Sequence, residues 1–152
     1  MGQGMDTIES IRARYSKIAG IRPASDRLLR DIEKKLTLVL PKEFFQICEF
    51  FDGSGLNAVP LFSLGANKST LDPLAETQRL RVKTDLPEKY LVLAEPPESL
   101  IVMECVGSGR VLWLDAIDVG RLHWEGFSRS PDIWPSFIEF FSYLLDEEEA
   151  DL

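Results

Sequence analysis

Between residues 90 and 125 the hydrophobic pattern consists of short β-type segments, and this block constrains the fold more than any other part of the chain. The segments YLVLAE, SLIVMECV, RVLWLDA and VGRLHWE are rich in branched and aromatic residues, which favour strands. Turn-forming residues separate them at positions 96–97, 107–109 and 117–118. Short strands joined by tight turns predict an antiparallel meander.

The turn positions also predict the register of the strands. A hairpin turn at residues 107–109 places Met103 opposite Trp113, and a second turn at residues 117–118 places Leu122 opposite Trp113. One face is then apolar and expected to be buried, with the members Met103, Cys105, Val111, Trp113, Leu122 and Trp124. The opposite, mixed face has the members Val102, Glu104, Arg110, Leu112, Leu114, Arg121, His123 and Glu125. Such a face is either covered by a helix over its apolar part or used to bind a partner.

Helical periodicity lies on both sides of the β block. Apolar residues at helical spacing predict helices at 6–18, from Ser25 or Asp26 to Leu36, from Pro41 to Phe51, from Pro73 to about Val82, and from about Pro135 onward. A short strand is predicted at residues 57–64. Helices and a meander that occupy separate stretches of the chain predict an α+β fold, with a mostly antiparallel sheet packed against flanking helices.

The length and composition fit one domain. A chain of 152 residues with 45% hydrophobic and 28% charged residues is within the usual size of a single domain with its own core, so we expect residues 1–152 to form one. No apolar run approaches the roughly 18 to 20 residues that a membrane-spanning helix needs. The N-terminus has acidic residues where a signal peptide would be apolar, and we expect a cytoplasmic protein.

Acidic residues outnumber basic ones by 25 to 17, for a net charge of −8. Five of the acids lie in residues 146–152, DEEEADL, which we expect to be a solvated, flexible tail. An acidic surface argues against nucleic acid or anionic lipid as the main ligand, because both require clustered Lys and Arg. A basic protein is the better-matched partner.

The residues that usually carry catalysis form no recognisable motif. His123 is the only histidine, and no serine, cysteine or carboxylate stands at a motif spacing from it. Cys48 and Cys105 lack metal-binding spacing and are expected to be buried, reduced thiols. The glycines at residues 107–109 lack the Lys and Ser or Thr of a phosphate loop. Carboxylates are plentiful, but the sequence nominates no catalytic pair, so we expect a non-catalytic protein without metal or cofactor.

The order of elements resembles that of the SUKH superfamily of Smi/Knr-type proteins over about residues 25–146. The most specific part is LPKEFFQICEFFDGSG at residues 40–55, which is similar to the family's Leu-Pro, aromatic and Asn-Gly sequence, with Asp52 in place of Asn. The segments RVLWLDA and WPSFIEFFSYLL are similar too. The resemblance implies a curved, mostly antiparallel sheet with flanking helices.

In bacteria, the resemblance implies an immunity protein that binds and neutralises a cognate polymorphic toxin, frequently a nuclease. Eukaryotic relatives are regulatory or scaffold interaction modules, and this alternative stays open, as does an unassigned enzyme. Residues 90–125 contain six acids and two bases, a local charge of −4. We therefore predict that a basic toxin domain binds to Glu104, Leu112, Asp118, His123 and Glu125, with Leu112 as an aliphatic anchor. The oligomeric state stays open.

Overall fold

The computed structural model describes residues 6–65 and 72–152. Within these residues the fold is α+β, as predicted. The helices are α1 (Ile8–Ala19), α2 (Asp26–Leu36), α3 (Lys42–Cys48), α4 (Pro73–Lys83), a 3-10 helix (Ala116–His123) and α5 (Phe137–Ala150). The strands are β1 (Tyr90–Ala94), β2 (Ser99–Glu104), β3 (Val111–Asp115) and β4 (Asp132–Trp134).

Side chains at the N-termini of α1, α2, α4 and α5 explain where these helices begin. Thr7, Ser25, Asp72 and Ser136 are N-caps, and each side-chain oxygen accepts a hydrogen bond from a backbone N–H in the first turn. These bonds satisfy donors that have no partner within the helix. All the predicted helices are present, although α3 ends at Cys48 instead of Phe51.

The prediction of a strand at residues 57–64 is wrong, because this segment is irregular. Phe62 donates its backbone N–H to the carbonyl oxygen of Leu93 in β1 at 2.9 Å, but Pro60 has no N–H with which to continue a ladder. The segment therefore lies beside the β1 edge of the sheet without extending it.

The four strands form an antiparallel sheet in the order β1-β2-β3-β4. The predicted hairpin at residues 107–109 is present, but its register differs: Ile101 lies opposite Trp113, and Met103 lies opposite Val111. The observed pairing is shifted by two residues along β2 from the predicted pairing. Because side chains alternate between faces with a period of two, this shift leaves every side chain of β2 and β3 on its predicted face.

The prediction of a strand after β3 is wrong. The segment VGRLHWE falls largely in the 3-10 helix, and Asp132 of β4 takes the place opposite Trp113 that was predicted for Leu122. Leu122 packs on the other side of the sheet, and the side chain of Trp124 is 67% exposed. The carboxylate of Asp118 binds Ser128, which holds the 3-10 helix against the loop that leads into β4.

Both faces of the sheet are covered. One face packs against α1, α2, α3 and α5 in the larger core, where Phe141 lies within 4.7 Å of Phe51 between ring centroids. The other face, including Leu112, packs against Leu80 of α4 and Leu122 of the 3-10 helix. The mixed face is thus a second, smaller core.

The acidic residues 146–149, for which a flexible tail is predicted, lie in the last turns of α5 and make specific contacts. Arg14 of α1 pairs with Glu149 at 2.7 Å. The carboxylate of Glu148 accepts hydrogen bonds from the backbone N–H groups of residues 57 and 58 at 2.7 and 2.9 Å. These partners compensate charges that would otherwise favour fraying.

In the part of the chain that the structure describes, no helix combines the length and the hydrophobicity needed to cross a membrane.

Candidate protein-binding site

Two of the five predicted binding residues are inaccessible. Leu112 is fully buried between the sheet and the elements that cover its second face, and Asp118 is buried within the 3-10 helix. The prediction that Leu112 is an exposed anchor is therefore wrong, because α4 and the 3-10 helix cover the apolar part of that face. Asp118 holds the protein's own chain instead of offering its carboxylate to a partner.

Two other predicted residues, Glu104 and Glu125, belong to a charge-balanced network. Lys89 pairs with Glu104 at 2.7 Å, and Arg110 pairs with Glu125 at 2.8 Å and with Glu104 at 3.4 Å. The hydrogen bond from Arg110 lowers the pKa of Glu125, because it favours the ionised carboxylate. Two acids and two bases leave no net charge, so this region is a poor source of negative potential.

His123 contacts the backbone and side chain of a single neighbour. Its Nε2 lies 2.9 Å from the carbonyl oxygen of Asp85 and 3.3 Å from Asp85 Oδ2. The ring is held beside residues that connect α4 to β1. Partner binding by Glu104, His123 and Glu125 remains a prediction.

A different surface combines aromatic and acidic side chains. Glu139, Tyr143 and Glu147 are spaced four residues apart on α5, so they lie on one face of the helix. The ring of Trp134, in β4, lies 4.9 Å from the ring of Tyr143 between centroids. Asp132 is the first residue of β4, two residues before Trp134. We call these five residues the α5–β4 surface.

Two carboxylates of this surface raise the pKa of its tyrosine. Partial burial raises the pKa of Tyr143, and the nearby charges of Glu147 and Asp132 raise it further, because a phenolate would be repelled by both. Both carboxylates therefore lie near enough to the Tyr143 hydroxyl to influence its ionisation.

The negative charge at the α5–β4 surface is uncompensated. From residue 130 to residue 152 the sequence has seven acids and no Lys, Arg or His. Among the described residues, neither Asp132 nor Glu147 forms an ion pair. Arg14 pairs with Asp146 and Glu149 on the neighbouring face of α5. The surface therefore presents carboxylates beside partly exposed aromatic rings.

Sequence reasoning missed this surface, although two signals for it were present. One is the absence of basic residues after Arg129, and the other is the four-residue spacing of Glu139, Tyr143 and Glu147. The acids at 146–152 are interpreted as a tail, and Trp134 is assigned to no surface. Acids and aromatic rings are therefore not placed side by side.

An open cleft adjoins this surface at Asp132. Its lining residues come from β2, β3 and the segment before β4, and include Ser99, Trp113, Asp115, Arg129 and Asp132. The indole Nε1–H of Trp113 donates a hydrogen bond to Ser99 Oγ at 2.9 Å, which fixes the ring. The Nε of Arg129 lies 3.6 Å from Asp115 Oδ2.

The cysteines are not set up as nucleophiles. Burial raises the pKa of Cys48, and burial also raises the pKa of Cys105 to about 12. The reactive thiolate is therefore disfavoured near neutral pH. Among residues 6–65 and 72–152, no group of three or more His, Cys, Asp or Glu side chains is arranged to hold a metal ion.

Comparison of the chain with models of protein families and with curated proteins gives no match. The resemblance to the SUKH superfamily therefore remains a prediction.

Proposed function

We propose that this protein is a non-catalytic, cytoplasmic immunity protein of the SUKH type, which binds and neutralises a basic toxin domain through its α5–β4 surface. The observation that carries the proposal is the pairing of uncompensated carboxylates, Asp132 and Glu147, with the partly exposed rings of Trp134 and Tyr143. The resemblance of the sequence to the SUKH superfamily is the ground for the proposed biological role.

The two kinds of side chain have different effects on binding. Carboxylates at the edge of an interface speed encounter with a basic partner and select against acidic ones. Trp and Tyr bury large areas with few rotatable bonds, and they are enriched among residues that dominate binding energy. The indole of Trp134 is also supported from below by Phe140, at 5.0 Å between centroids, so little side-chain freedom is lost on binding.

The test is calorimetric titration with the C-terminal domain of a secreted toxin encoded by the neighbouring gene. Replacing Asp132 and Glu147 together by Lys should weaken binding by at least about tenfold and make it less sensitive to salt, because charge attraction becomes repulsion. Protection of cells that express the toxin should fall in parallel. Thermal melting confirms that the variant is folded.

A matched control reverses two exposed acids elsewhere. Glu49 follows α3 and Glu88 precedes β1, which forms the opposite edge of the sheet from β4. Replacing both by Lys changes the net charge equally and should leave affinity within about threefold of the parent, since only long-range attraction changes. Equal losses in the two variants would show that general charge, and not the α5–β4 surface, mediates binding.

A toxin domain that the parent protein does not bind, or a neighbouring gene that encodes no such protein, would contradict the immunity proposal. Weak binding to several unrelated proteins would instead identify a regulatory or scaffold module.

A further inference from the structure

We propose that the cleft beside β4 is a binding site for an arginine side chain of the protein's partner. The proposal rests on the proposed function in one respect, that the partner is basic, and adds which side chain it inserts and where. The site consists of the Trp113 ring with the carboxylates of Asp115 and Asp132, and Ser99 holds the indole in place.

The lining groups match a guanidinium better than an ammonium. A guanidinium is planar, stacks on an indole face and donates paired hydrogen bonds to carboxylates. Trp113 and Asp132 are opposite each other across β3 and β4, so their side chains emerge on the same face of the sheet. Asp115 lies two residues after Trp113 in β3 and therefore on that face as well.

The protein's own Arg129 also lines this cleft. It is the one basic side chain among the described residues that line the cleft, and its Nε is 3.6 Å from Asp115 Oδ2. This separation is too long for a good hydrogen bond, and the side chain is 80% exposed. An exposed pair of this kind is weak, so an arginine from a partner can displace it readily.

The cleft is continuous with the α5–β4 surface because Asp132 belongs to both. A partner chain that lies on Trp134 and Tyr143 can therefore direct one arginine past Asp132 into the cleft. The aromatic rings then contribute apolar contact outside the cleft, and the cleft provides selectivity for arginine.

The experiment uses N-acetyl-arginine amide as the probe and the full chain labelled with nitrogen-15. The reporter is the Trp113 indole N–H, with those of Trp124 and Trp134 as internal references, since the chain has three tryptophans. We expect a saturable shift of the Trp113 signal with N-acetyl-arginine amide and at least about threefold weaker binding of N-acetyl-lysine amide.

Variants of the cleft give the sharper result. Asp115→Asn should raise the Kd of the arginine probe by about three- to tenfold, since it removes one carboxylate. Arg129→Gln should lower it by about two- to fivefold, since it removes the internal competitor. Glu88→Gln, at the far edge of the sheet, should leave the Kd of the arginine probe unchanged. Equal binding of both probes, or an Arg129→Gln variant with parental affinity, would overturn the proposal.

The same variants separate this proposal from the proposed function. A toxin domain that binds the parent and Asp115→Asn equally, but not the Asp132 and Glu147 double variant, would refute the arginine site and support the α5–β4 surface. A saturable Trp113 shift in a parent protein that binds no toxin would support the arginine site and contradict the immunity role.

Discussion

The carboxylate of Asp118 lies buried at the point where the chain has left β3, and it determines where the following residues go. It accepts hydrogen bonds from the hydroxyl and backbone N–H of Ser128 at 2.8 and 3.2 Å, and one from the backbone N–H of Arg129 at 3.4 Å. Burial by itself would raise the pKa of Asp118, but these bonds outweigh it and lower the pKa below its ordinary value of 3.8. A lowered pKa in the folded state means that ionisation stabilises the fold.

We expect Asp118→Asn to be less stable than the parent near neutral pH and the difference to shrink on acidification. The contribution of Asp118 is present above 3.8, its unfolded pKa, and is lost as pH falls through the lower folded value. Urea unfolding at a series of pH values measures it. Glu88→Gln is the control, and a deficit for Asp118→Asn that did not change with pH would show that lost packing is responsible.

Tyr143 provides an equilibrium test of the electrostatics at the α5–β4 surface. Because the charge of Glu147 raises the pKa of the Tyr143 hydroxyl, Glu147→Gln should lower it toward its ordinary value of 10.0. Titration of the tyrosine ring carbons by NMR resolves Tyr143 from the other two tyrosines. Glu49→Gln should leave the titration unchanged, and an unshifted Tyr143 in Glu147→Gln would mean that the charges are not close.

At the scale of elements, α5 serves the core and the candidate binding surface with opposite faces. Phe137, Phe141 and Leu144 are buried in the larger core, while Glu139 and Tyr143 lie on the α5–β4 surface. The helix is therefore fixed by burial on one side, which holds its outward residues in place without needing contacts among them. Changes to the two faces should consequently have separable effects.

Phe141→Ala should lower the free energy of unfolding by about 3 to 5 kcal/mol, because it empties the centre of an aromatic cluster that includes Tyr15 and Phe51. Urea denaturation measures the loss. Val82→Ala is the control: Val82 is 90% exposed, and its replacement should change stability by less than about 0.5 kcal/mol. A small effect at Phe141 would contradict the assigned core.

Removal of residues 146–152 should destabilise the fold, whereas removal of residues 151–152 should not. The longer deletion eliminates the carboxylate that accepts two backbone N–H groups of the irregular segment near β1, and it also leaves Arg14 without Glu149. Thermal melting compares the two deletions. Equal melting temperatures would show that residues 146–150 do not contribute to the stability of the fold.

At the scale of the whole molecule, local signals predicted the elements well and the pairing between distant elements poorly. Apolar spacing and capping residues such as Ser25 and Asp72 identified the helices, and the α+β fold is confirmed. The prediction of a strand after β3 failed because VGRLHWE has strand-like composition, whereas the hydrogen bonds that Ser128 donates to Asp118 favour a 3-10 helix there. Contacts of this kind join residues ten positions apart and are invisible to local periodicity.

The candidate site was predicted less well than the fold, for two physical reasons. The count of charges over residues 90–125 left out Lys89, which neutralises Glu104 across the edge of the sheet. The sequence left open whether a helix or a partner covers the mixed face, and the choice of a partner placed Leu112 wrongly, because α4 and the 3-10 helix cover it. The electrostatic potential at a surface depends on which charges lie close together in space. The net charge summed along residues 90–125 therefore indicated the wrong surface.

The position of α5 in the larger core has a consequence for biosynthesis. Phe141 packs against Tyr15 and Phe137 packs against Phe44, yet α5 is translated after every other described element. While a ribosome is still extending the chain through β4, Tyr15 can pack against Phe51 but lacks Phe141, and Phe44 lacks Phe137. Nascent chains in this state expose apolar surface and are prone to aggregation, so a message truncated before α5 should yield a product for proteolysis.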